Sequence, residues 1–133
     1  MDGDDALTRL RSICMSLPEA AERVSHGEPA WFAGTGKMFA CFADHHHDEV
    51  LGCWCAAPFR RQQELTGQDP GRYFVPPYVV GRGWLAVRLD LPVDWTEVAE
   101  IVQDGYREVA SGRLVALLDA GLEDVGPSGP ADI

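Results

Sequence analysis

Between Gly27 and Leu89 every apolar run is cut after a few residues by a glycine, a proline or a polar cluster. Such a stretch builds short strands and tight turns, and no segment in it is long enough to span a bilayer. The runs are Ala30 to Ala33, Lys37 to Phe42, Val50 to Cys55 and Trp84 to Leu89. Gly34-Thr35-Gly36 makes a hairpin turn, because glycine takes φ > 0 at little cost. Asp44-His45-His46-His47-Asp48 reads as the polar tip of a second hairpin. The segments 22–26 and 30–33, punctuated by Gly27 and Pro29, read as edge strands. Residues 73–80 carry Pro76 and Pro77, so they read as an edge or a packed loop.

Helical periodicity frames this middle section. Ala6, Leu7, Leu10, Ile13, Cys14 and Leu17 recur at three- and four-residue steps, and Pro18 ends the pattern. Pro58 opens a helix over 59–65. Asp94-Trp95-Thr96-Glu97 has capping-box spacing and starts a helix reaching about Ala110. Val98, Ile101, Val102 and Val109 form its inner stripe, and Glu97, Glu100, Asp104 and Glu108 its solvated side. A last helix covers 111–118, and the glycines, prolines and acids of 121–133 read as a disordered tail. At 133 residues the chain fits one domain, taken as 1–120, with an acidic tail behind it. The expected fold is a single α+β domain, an antiparallel sheet with helices packed on one face.

The net charge is −10, with an isoelectric point near 4.6, so the whole body repels phosphate backbones and anionic lipid. Its distribution is uneven. Residues 60–88 hold five arginines (Arg60, Arg61, Arg72, Arg82, Arg88) against Glu64 and Asp69, whereas 90–108 hold six acids against Arg107. The N-terminus is acidic where a secretory signal is basic and then apolar, so a cytoplasmic location is expected. Cys14, Cys41, Cys53 and Cys55 form no C-x-x-C pair and read as buried, reduced thiols.

Several constellations carry candidate chemistry. In the His45-His46-His47 tip at most two imidazoles face one way, so a solvated tip is expected and no metal site. Gly34-Thr35-Gly36-Lys37 lacks the spacing of a phosphate loop. No spacing among Cys14, Ser25, His26 and Cys41 supports a catalytic triad, so no catalytic residue, cofactor or metal is expected. The strongest grouping is Arg72, Tyr73, Tyr78, Arg82 and Trp84, which joins guanidinium forks to flat rings that stack on planar ligands. Lys37, at a turn beside a strand start, and His26, at a strand end, extend it. The bland alternative is that Tyr73, Phe74 and Trp84 fill the core while the arginines stay at the surface.

Leu17-Pro18, His26-Gly27 with Pro29 and Phe32, Gly36-Lys37-Met38-Phe39-Ala40, Phe74-Val75-Pro76-Pro77-Tyr78, Gly83 to Leu89 and Tyr106 follow one another in an order that resembles the YjbR family, also called MmcQ-like. The resemblance spans about residues 6 to 118. It implies a small bacterial α+β domain, similar to a double-wing DNA-binding fold and commonly labelled DNA-binding, with no catalytic residues to carry over. Gly105 stands where serine is usual, and Ser111-Gly112-Arg113 replaces a Pro-Lys-Arg-like stretch, which removes a positive charge. The expectation is a non-enzymatic binding module of the YjbR type for nucleic acid, using Lys37, Arg72, Tyr78, Arg82, Trp84 and His26. The alternative is a site for a planar or anionic small ligand among the same rings and arginines. No membrane partner is expected, and monomer and weak dimer remain open.

Overall fold

The computed structural model describes residues 3–44, 51–76 and 83–124. The first helix, α1 (Gly3–Met15), sinks Ala6, Leu10 and Cys14, one residue per turn, completely into the core. Strands β1 (Ala20–Ser25) and β2 (Glu28–Ala33) form a hairpin whose two central residues, His26 and Gly27, both have positive φ, 53° and 82°. That is the type I′ signature, whose twist matches the strands it joins. His26 therefore occupies a turn position that few side chains tolerate.

Strand β3 (Met38–Asp44) pairs with β2, and the register slips at Trp31/Phe32. The bulge places both Phe39 and Ala40 in the core, where Phe39 meets Tyr106 edge to face with centroids 5.3 Å apart. Such a ring pair is worth about 1 kcal/mol beyond its buried area. Strand β4 (Leu51–Ala56) follows, then α2 (Phe59–Gln68), the two-residue β5 (Tyr73–Phe74), β6 (Trp84–Arg88), α3 (Trp95–Val109) and α4 (Gly112–Asp124). The six strands lie in the order β1-β2-β3-β4-β6-β5, and every described pair is antiparallel. Asp94 caps α3 by accepting from the Thr96 and Glu97 amides, as its spacing predicts.

All four helices send their buried residues into one core, shared with Trp31, Phe42, Cys53, Cys55, Leu85 and Val87 of the sheet. The helices thus cover one face, and the fold is the expected α+β arrangement. Helix α3 lies so close to β4 that a Cβ on Gly105 would run into the Ala56 carbonyl oxygen. Tyr106, the next residue, donates its hydroxyl to the Pro18 carbonyl at 2.7 Å and ties α3 to the start of β1.

Two readings change. Segment 30–33 is not an edge: β1 and β3 flank β2 on both sides, and the edges are β1 and β5. The alternation that marks an exposed edge was absent from 30–33 because both faces of β2 are partly covered. Helix α4 continues through Gly121 to Asp124, into the segment read as tail. The His45-His46-His47 tip, Tyr78 and Arg82 lie outside the described residues.

Candidate functional site

Opposed residues in an antiparallel pair point to the same side of the sheet, so the register gives the helix-free face directly. One row crosses all six strands: Arg23, Ala30, Cys41, Trp54, Ala86 and Phe74. Beside it, toward the β2–β3 turn, stand Phe32 and Met38, then Ala56 and Trp84. On the other side stand Glu28, Gly52 and Arg88. None of Phe32, Met38, Cys41, Trp54, Phe74 and Trp84 belongs to the core, and each is half-buried. Rings alternate here with small residues. Ala30 and Cys41 separate Trp54 from Arg23 and Phe32, and Ala86 separates Trp54 from Phe74. With strands about 4.8 Å apart, Trp54 and Phe74 spring from backbones about 10 Å apart. Ala30 and Ala86, the small residues between these rings, are fully buried.

The candidates read from the sequence divide. Trp84 lies on this face at the end nearer the β2–β3 turn, and Lys37 is exposed on that turn. Arg72 lies at the opposite end, on the outermost strand side, and His26 sits in the β1–β2 turn at the far edge. Those four do not converge on one point. Tyr73 is buried on the helix side, where its hydroxyl is bonded to Glu97; burial first, and that carboxylate second, push its pKa up. The bland reading thus holds for Tyr73 and fails for Phe74 and Trp84, which lie on the other face.

Most arginines are occupied. Arg72 binds Asp69 at 3.3 Å and the Pro92 carbonyl at 2.7 Å. Arg88 forks onto Asp90 with two contacts of 2.9 Å, and Arg61 faces Asp104 at 3.6 Å. Arg9, Arg11, Arg107 and Arg113 likewise face Asp5, Glu22, Asp119 and Glu19. Arg23 instead stacks its guanidinium over Phe32, 3.8 Å from the ring centroid, with no acid partner among the described residues. Cys41 lies in the floor of the face, and burial pushes its thiol up to about 12, so it is no nucleophile at neutral pH. Among the described residues, no group of three His, Cys, Asp or Glu side chains is placed to hold a metal. No described helix is long and apolar enough to cross a membrane. A cleft of about 270 Å³ between Leu17, Gln103 and Leu118 lies on the helix side, away from the open sheet face.

Arg23, Phe32, Trp54 and Phe74 were missed as site residues by sequence alone. For Phe32 and Trp54 the signal was present as apolar residues on both alternating positions of β2 and β4, which makes two-sided strands, whereas Arg23 on β1 and Phe74 on β5 carried none.

Among the described residues, a six-stranded antiparallel sheet with four helices on one face defines a small α+β domain. The family model YjbR matches residues 15–108, and the chain belongs to the YjbR family. Among solved structures it is similar to the Deinococcus radiodurans protein DR2400, which carries the DUF419 domain, with 22% identity over 75% of each chain and a TM-score of 0.63. That likeness is one of fold. No curated protein matches the chain.

Proposed function

We propose that this YjbR-family protein is a non-enzymatic binding domain that receives a flat aromatic ligand on the open face of its sheet. The observation that carries the reading is the cross-strand row in which Trp54 and Phe74 flank Ala86, and Trp54 faces Arg23 across Ala30 and Cys41. Half-buried rings on a sheet leave part of each ring in solvent, where a planar group can stack. Stacking on such rings contributes about 1–3 kcal/mol per planar group. Nucleic acid is the other occupant with stackable planar groups. It draws less support, because Arg61, Arg72 and Arg88 of the basic segment each have an acid partner and the chain carries −10 overall.

The test is calorimetric titration with naphthalene carboxamide, a neutral flat probe, and with a single-stranded oligonucleotide at about 50 mM salt, where phosphate contacts act strongly. The carboxamide is expected to bind, and Trp54→Ala to weaken it about tenfold, the lower half of the stacking range. Salt-sensitive binding of the oligonucleotide alone transfers the face to nucleic acid. Silence from both probes overturns the reading.

A further inference from the structure

The helix-side cleft of about 270 Å³ has apolar walls, Leu17, Pro18, Leu117 and Leu118, and Leu117 keeps 46% of its surface in solvent. An apolar cavity of about 150 Å³ already holds benzene, so this one has room for a short alkyl chain with a polar head. Charge decides the head. Two helices end here: α1 stops at Met15, directly before Leu17 and Pro18, and α4 brings Gly121 of its last turn to the lining. A helix C-terminus carries about half a negative charge, and neither helix has a basic residue in its last turn to offset it. The α1 end is loosely closed, since the Ser16 and Leu17 amides reach the Ile13 and Cys14 carbonyls at 3.3 Å each, long for such bonds. The arginines one helical turn from Gln103 and Leu117 are neutralised, Arg107 by Asp119 at 2.7 Å and Arg113 by Glu19 at 2.8 Å. Gln103 lines the same cleft with an amide that has no hydrogen-bond partner among the described residues.

We infer that this cleft is a binding site for a small amphiphilic monocation, a primary alkylammonium. Its chain lies against the four apolar walls, and its ammonium turns toward the two helix ends and the Gln103 amide oxygen. An ammonium brings three donors and no acceptor, which suits carbonyl oxygens that lack good partners. A carboxylate in the same place would face two negative helix ends on a body of charge −10. The cleft and the open sheet face are separate, and neither reading depends on the other.

The experiment titrates the full chain with hexylammonium, hexanol and hexanoate, one chain length with three heads, and follows the backbone amides by NMR at about 20 mM salt, where screening is weak. Hexylammonium is expected to shift Leu17, Gln103 and Leu118 and to bind about tenfold tighter than hexanol, the combined scale of two helix ends. Hexanoate should bind more weakly than hexanol. Raising the salt to about 0.5 M should shrink the ammonium preference severalfold and leave hexanol binding unchanged. Gln103→Leu should reduce the preference and keep hexanol binding. Leu117→Lys, at an exposed helical position, puts a cation of the chain's own at the cleft and should abolish hexylammonium binding with little change in melting temperature. Equal binding of hexylammonium and hexanol, or tighter binding of hexanoate, overturns the inference. So do ammonium shifts centred on Glu97, Glu100 and Glu108 of the outer α3 surface, which mark attraction to the acidic body alone, and so does silence of the cleft amides with all three probes.

Discussion

Two side chains act as joints between distant parts of the chain. The Tyr106 hydroxyl satisfies the Pro18 carbonyl from 88 positions away, inside a fully buried ring contact with Phe39. Tyr106→Phe keeps the ring and orphans the carbonyl, and is expected to cost about 1–2 kcal/mol in urea unfolding. The Glu22 carboxylate accepts from Arg11 at 2.8 and 3.0 Å and from the Trp31 indole at 2.9 Å. Arg11 chiefly, with the indole, holds the Glu22 carboxyl below its ordinary value against the opposing effect of burial. A depressed folded-state pKa means the ionised form stabilises the fold above the unfolded value, near pH 4.3, and that this contribution disappears as pH falls through the folded value. The gap in melting temperature between wild type and Glu22→Gln should therefore be present at neutral pH and close by about pH 3. None of this pairing was legible beforehand. Asp94 announces its role through three-residue spacing, but Arg11 with Glu22 and Arg113 with Glu19 meet only because the sheet brings them together.

At the scale of elements, the contact between α3 and β4 sets the depth of the core. Gly105 fits here because it has no side chain where the Ala56 carbonyl approaches. Gly105→Ala must push the helix off the strand, and is expected to lower stability by about 1–3 kcal/mol despite alanine's better helix propensity. An unchanged urea midpoint would show that α3 does not pack as described. The amphipathic helices and the punctuated strands were readable because each pattern repeats within its own element. The bulge at Phe39 and the interior place of β2 were not, since both depend on which strand lies alongside. The two-residue strand β5 lies at the edge, where the prolines of its segment pointed.

Over the whole molecule, one face of the sheet is sealed by helices and the other carries rings over a floor of small residues. The acidic balance does not gather the basic segment into a free patch, because most described arginines are neutralised where they stand. Sequence spacing singled out Trp84 and Arg72 on this face but also drew in Lys37 and His26, which belong to turns at its periphery. The register, invisible in the sequence, is what aligns Arg23, Trp54 and Phe74. Backbone amide shifts followed by NMR during titration with naphthalene carboxamide test the account most directly. The open-face reading predicts changes centred on Ala30, Cys41 and Ala86, fading toward α3 and α4. Changes centred on Leu17, Gln103 and Leu118 of the helix-side cleft, with the sheet amides still, would contradict it.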